Sequence, residues 1–366
     1  MRRPTHRHLL VAALVALPPA AVALHAAPAG ACGGLVGENG TIELVRTTTL
    51  AAYHDGVERY VTSFEFSGEG EQLGSIVPLP DVPTTVERGG DWTLQRLARE
   101  VAPPAAGDGR AFPTAAAASE SAEVLLETTV DALDITILRG GGDEVGRWAI
   151  ENGFLLTPDA PEVLDFYAQR SPVFMAARFD AARARALGQG SGDGTPIMLT
   201  IPTDQPWVPL RILGLGLEAS RVVEADVFLL TDDRPQLLAG GRGLQLGRSE
   251  RASASLLADL RSDVGMGWVP DEMWFTHLPL RAEAGELDYD LAVSAYRGQL
   301  PAVADAGVLA AEARPVEVAG GGTPWWPVAA GSAAGAAVLA GAWAYDRRRR
   351  AQGQVQGEAS AEVAGP

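Results

Sequence analysis

Apolar and polar positions first settle into a regular pattern between Thr41 and Phe66. Thr47-Thr48-Thr49 is a β-branched run, and Val57, Tyr60, Val61, Phe64 and Phe66 add apolar and aromatic bulk, as strands require. His54-Asp55-Gly56 lies between the two runs. Asp-Gly tolerates the positive φ of a tight hairpin turn, so a hairpin is expected there. A third strand, Leu73–Leu79, stops at Pro78-Leu79-Pro80. The spacing then becomes helical: Leu94, Leu97, Ala98 and Val101 share one face, Asp91 is placed as the N-cap, and Pro103-Pro104 ends the helix. Ala105 to Ser119 is low in complexity and reads as a loop.

Two more strands follow, Val124–Val130 and Leu133–Leu138, with Leu133, Ile135 and Ile137 on one face. Short helices are expected at Glu144–Asn152, stopped by Gly153, and at Pro161–Arg170, leading into a strand at Val173–Phe179. Gly188 to Gly194 (GQGSGDG) is a glycine-rich connector and lacks the Lys-Ser/Thr of a phosphate-binding loop. Strands are then predicted at Ile197–Ile201, Val208–Leu213, Val222–Leu230, Trp274–Leu280 and Leu291–Ser294, with a helix at Ala252–Leu260. Strands dominate and short helices interrupt them, which predicts an α+β domain over residues 32–300. Tyr60–Pro83 and Val173–Pro206 share an order of strand, glycine-rich polar loop, strand and proline exit. That order is compatible with an ancient duplication.

Both ends break this pattern. Met1 to Ala31 reads as a signal peptide, with Arg2, Arg3 and Arg7 ahead of an apolar run from Leu9 to Leu24. Ala29-Gly30-Ala31 is a small-residue exit, predicting cleavage between Ala31 and Cys32. Cys32 then opens the mature chain, either lipidated or as an inert thiol; Ala29 stands where a lipidation signal prefers a larger aliphatic. At the far end, Trp325 to Tyr345 carries no charged residue, enough for a helix of roughly 30 Å, the depth of a bilayer's hydrocarbon core. Trp325, Trp326, Trp343 and Tyr345 mark its interfaces, and Arg347, Arg348, Arg349 and Arg350 hold the following end in the cytoplasm. The alternative is a buried Ala/Gly-rich core helix. Residues 301–324 form an Ala/Gly/Pro-rich tether and residues 346–366 a cytoplasmic tail. Gly331 and Gly335 make a GxxxG that would let two such helices pair weakly. The expected topology is type I single-pass, in the cytoplasmic membrane with the N-terminal domain outside.

Charge and chemistry narrow the function. The formal charge is −17, and all 29 basic residues are arginines. Such a surface repels nucleic acid, and the lack of lysine removes Schiff-base and P-loop chemistry. With Cys32 alone there is no intrachain disulfide. After the signal peptide only His54 and His277 remain; His54 reads as a solvated turn residue and His277 as part of a strand face. No catalytic, cofactor or metal motif is present. In Ile201–Arg211 (IPTDQPWVPLR), Asp204 and Trp207 are placed either as a partner contact or as a stiff crossover whose Trp is core. Trp268 and Trp274 carry the same two readings.

The start Ala31-Cys32-Gly33-Gly34, then GSIVPLPDVP (Gly74–Pro83), WAIENGFLLTPDAPEVLDFYAQ (Trp148–Gln169) and PWVPLRI (Pro206–Ile212) follow in order. From Cys32 to about Ala295 the chain resembles the bacterial family called domain of unknown function 2330. The resemblance implies a secreted or membrane-anchored surface domain and supplies no catalytic residue. It also implies a second cysteine a few residues after the first, which Leu35 to Gly40 lacks, leaving Cys32 unpaired. Together these features predict a non-enzymatic cell-surface domain that binds a protein or an envelope glycan. The rivals are a carboxylate-dependent hydrolase of envelope glycans and a sensor subunit, the latter weakened by the short tail.

Overall fold

A computed structural model describes residues 34–37, 47–63, 72–101, 122–188, 196–296 and 299–318. Its strands are β1 (Gly34–Gly37), β2 (Thr47–His54), β3 (Val57–Ser63), β4 (Gln72–Leu79), β5 (Thr85–Arg88), β6 (Glu123–Val130), β7 (Leu133–Arg139), β8 (Val173–Asp180) and β9 (Pro196–Pro202). They continue with β10 (Trp207–Val208), β11 (Val222–Thr231), β12 (Gln236–Ala239), β13 (Gln245–Leu246), β14 (Arg248–Arg251), β15 (Trp274–Glu283), β16 (Leu291–Ser294), β17 (Arg314–Pro315) and β18 (Glu317–Val318). The helices are α1 (Thr93–Val101), α2 (Gly142–Glu151), α3 (Ala160–Ala168), α4 (Ala181–Ala186) and α5 (Ala254–Ser262). The fold is α+β and mostly sheet. Among the described residues no helix is long and apolar enough to cross a membrane, and the proposed span 325–345 lies outside them.

A seven-stranded sheet runs β14-β15-β11-β2-β3-β9-β5, and a five-stranded sheet runs β1-β4-β8-β7-β6. Alternation along each strand sends side chains to both faces. In β11, Ala225, Val227 and Leu229 point into the core between the sheets, and Phe228 and Leu230 point the other way. The central core takes Tyr60, Leu199, Ile201 and Leu278 from the larger sheet and Val77, Ile135, Ile137 and Met175 from the smaller. Leu94 and Leu97 of α1 and Leu256, Leu257 and Leu260 of α5 cover the outer face of the larger sheet. Val145 and Trp148 of α2 and Val163, Leu164 and Tyr167 of α3 cover that of the smaller. The result is four layers, helix–sheet–sheet–helix, each apolar face meeting another. A sheet of β10-β16-β12-β17 adds Val208, Leu291 and Val293 to the central core.

The hairpin β2–β3 turns through Asp55 (φ 51°) and Gly56 (φ 76°), the two positive-φ positions that Asp-Gly suits. Tyr60–Pro83 and Val173–Pro206 pair with each other: β3 lies antiparallel to β9, and β4 antiparallel to β8. Each segment thus crosses between the sheets, in opposite directions.

Three local expectations need correcting. Asp91 does not cap α1. Asp263 does so from beyond α5, accepting from the Asp91 and Trp92 amides (3.0 Å each) and the Thr93 hydroxyl (2.8 Å), and Asp91 pairs with Arg88 (3.0 Å). The strand expected at Val208–Leu213 ends after two residues and becomes a 3₁₀ turn, Arg211–Gly214. Pro209 offers no amide to a ladder, and the Leu210 and Arg211 amides turn instead to the Asp290 carboxylate at 2.6 and 3.0 Å. Finally, the described part of the 301–324 segment is docked. Ala306 is fully buried, its carbonyl accepts from the Asp290 amide, and β17 pairs with β12.

Candidate functional site

The outer face of the five-stranded sheet is open where α2 ends. A groove of about 210 Å³ lies there between β6, β7 and β8 on one side and Trp148, Asn152 and Phe154 on the other. Strand register explains its polar wall. Glu127 lies opposite Thr136 and Thr129 opposite Asp134 on β6–β7, while Asp134 lies opposite Arg178 on β7–β8. These positions share the outward face, so carboxylates, hydroxyls and a guanidinium converge. The Asp134 carboxylate is held by Arg178 at 3.5 Å and Arg183 at 3.3 Å, with the Thr129 hydroxyl donating at 3.3 Å. Glu127 is exposed, and no ion pair to it is formed among the described residues.

The floor is aromatic. Trp148 and Phe154 lie 5.9 Å apart and are each 4 % exposed. Phe154 sits directly on the backbone of Gly74, where any Cβ would overlap its ring. The Asn152 amide donates to the Trp148 carbonyl (2.9 Å), fixing the end of α2 beside the groove. Ile150 and Leu155, neighbours in the chain of these lining residues, are 63 % and 53 % exposed.

Trp207, one of the two residues placed as a partner contact, is 2 % exposed and belongs to the core under α3; its neighbour Asp204 is exposed. Trp207 stacks on Tyr167 at 5.8 Å, and the Arg170 guanidinium lies 4.2 Å from its ring centre. Asp290 organises this cluster, accepting from the Tyr167 hydroxyl (2.9 Å), from Arg170 and from the two amides of the 3₁₀ turn. Burial first, and the Asp290 charge second, push the Tyr167 hydroxyl well above its ordinary range. Trp268 and Trp274 are half-buried, under Arg59 and bonded to Ser249 respectively. Ala31, Cys32, Trp325, Trp326, Gly331, Gly335, Trp343, Tyr345 and Arg347 to Arg350 lie outside the described residues.

Both histidines meet acids that sequence reasoning did not join to them. His277 Nε2 is 2.8 Å from Asp226, with its ring stacked on Phe228. His54 Nδ1 is 2.6 Å from Asp232, across 178 positions of chain. No spacing rule detects such a pair. The groove left a fainter mark: Glu127 and Thr129 are alternate, outward polar positions of one strand, followed by an aromatic pair at a helix end.

Residues 26–239 match the model of DUF2330, described as an uncharacterized protein conserved in bacteria, which is more than half of the 366 residues. The chain belongs to that family. The part matched to DUF2330 contains the whole groove and Trp207, and ends with β12, before Asp290 and His277. Gly74, Trp148, Phe154, Trp207 and Ile212, from the three segments that resemble the DUF2330 family, meet around one outer core.

No curated protein matches the chain in sequence. Among solved structures, the crystal structure of baculovirus P35 aligns at 9 % identity and a TM-score of 0.34, covering 70 % of this chain and 92 % of that one. A mutated baculovirus P35 after caspase cleavage aligns at 7 % identity and 0.31, covering 68 % and 95 %. At those scores neither likeness carries over to this DUF2330 chain.

Proposed function

We propose that this DUF2330 chain is a non-enzymatic binding domain, displayed outside the cytoplasmic membrane by its C-terminal helix, whose groove takes a basic segment of another protein. The observation that carries the reading is an exposed Glu127 on the groove wall with no ion-pair partner among the described residues; Ile150 and Leu155, chain neighbours of lining residues, are exposed as well. A chain of net charge −17 adds long-range attraction for a cationic partner. A glycan is less well suited. Sugar stacking needs an open aromatic face, and Trp148 and Phe154 are each 4 % exposed.

The hydrolase reading draws on one feature, that Glu127 and Asp134 lie on adjacent strands of the same groove. A carboxyl that acts as general acid needs burial or a like charge to hold its proton. Glu127 is exposed and Asp134 is countered by two guanidiniums, so binding is favoured.

One experiment on cells tests both parts. A photo-reactive residue replaces Leu155 in the full chain, cells stripped of their wall are illuminated, and protease is then added outside. The adduct should be digested from outside, an epitope after Arg350 should survive, and the cross-linked peptide should be rich in Lys and Arg. Loss of the tail epitope with the adduct protected would reverse the topology, and an acidic or glycan adduct would sink the groove assignment.

A further inference from the structure

We propose that His54, Asp55 and Asp232 form a binding site for a first-row divalent ion, Zn²⁺ foremost, at one end of the seven-stranded sheet. The backbone builds the site. β2 and β11 are parallel neighbours, with Tyr53 beside Thr231, so the next residue of each strand, His54 and Asp232, emerges side by side. Asp55 follows as the first residue of the hairpin turn. One ligand atom from each of the three lies within 4.8 Å of the others. His54 Nε2 is 3.4 Å from Asp55 Oδ2, the separation two donors adopt around an ion bound at about 2.1 Å with tetrahedral geometry.

The donor chemistry agrees. A neutral imidazole and two carboxylates carry two negative charges, matching a dication. The mixed nitrogen–oxygen set suits Zn²⁺, with Mn²⁺ next, better than the all-oxygen preference of Ca²⁺ or Mg²⁺. Among the described residues, no guanidinium lies within ion-pair distance of Asp55 or Asp232; the Arg59 side chain feels Asp55 but lies over Trp268, 4.5 Å from the ring centre. His54 is 29 % exposed, Asp232 46 % and Asp55 85 %, leaving room for water to complete the coordination. Asp232 Oδ1 lies 2.6 Å from the other ring nitrogen, Nδ1, a hydrogen bond that gives way when the ion draws the three donors together.

The test is calorimetric titration of ZnCl₂, and then MnCl₂, into the untagged full chain in detergent, beside His54→Ala, Asp232→Asn and Asp55→Asn variants. Zn²⁺ should bind with an affinity that each variant lowers about tenfold or more, with the metal-free melting temperature of Asp55→Asn unchanged. Asp55→Asn, on an exposed turn, keeps the test valid if His54→Ala or Asp232→Asn fails to fold. Equal Zn²⁺ affinity in wild type and Asp55→Asn, or no uptake by the wild type, would overturn the assignment.

Discussion

Glu58 is placed at a cost to the fold. It points from β3 into the central core between Tyr53 and Ile201, is fully buried, and neither carboxylate oxygen has a hydrogen-bond partner. Burial pushes its carboxyl up to about 8. Because the folded-state value lies above the unfolded one, this group's stabilising share is complete below about pH 4.5 and is lost as pH rises toward 8. Glu58→Gln should therefore melt higher than wild type at pH 9, by a few kcal/mol in stability, and almost equally at pH 4. Parallel melting curves at the two pH values check it; an equal offset at both would mean that the charge is not the cause. Glu58 was invisible to pattern reading, because a polar residue at an inward strand position looks like a solvated one. Val57, Tyr60 and Val61 around it were legible through bulk alone, and Tyr60 and Val61 are indeed buried on opposite faces.

Elements were easier to find than their partners. The hairpin at Asp55-Gly56 follows from local turn chemistry, and α5 begins where the Ser253 hydroxyl accepts from the Leu256 amide (3.2 Å). The cap of α1 obeys no such local rule, since Asp263 arrives from 170 positions beyond Thr93. Burial alone would raise the Asp263 carboxyl, but the Asp91 and Trp92 amides and the Thr93 hydroxyl together bring it below its usual value. Its contribution is thus present above the ordinary carboxylate range and lost as pH falls through the lowered folded-state value. Asp263→Ala should cost about 1–2 kcal/mol at pH 7. Urea denaturation should show the midpoint falling with unchanged slope, and a midpoint equal to wild type would show that α1 needs no cap from Asp263. The misplaced strand at Val208–Leu213 has the same origin, for its amides answer to Asp290, a residue far along the chain.

At the scale of the molecule, strand richness was legible and the pairing was not. Alternation says which faces are apolar, and it cannot say that β11 runs parallel to β2 or that β3 and β4 pair with β9 and β8 in different sheets. The groove depends on that pairing, because Glu127, Asp134 and Arg178 meet only through the order β6–β7–β8. Its floor depends on Gly74 of β4 admitting Phe154 from the loop after α2. The groove as a seat for a basic segment is tested most directly by binding a randomised peptide library to the purified full chain and to Glu127→Arg. The wild type should enrich peptides carrying Lys or Arg next to an apolar residue, and Glu127→Arg should lose that enrichment while melting at the same temperature. Enrichment of acidic or neutral peptides, or basic enrichment that persists in Glu127→Arg, would contradict it.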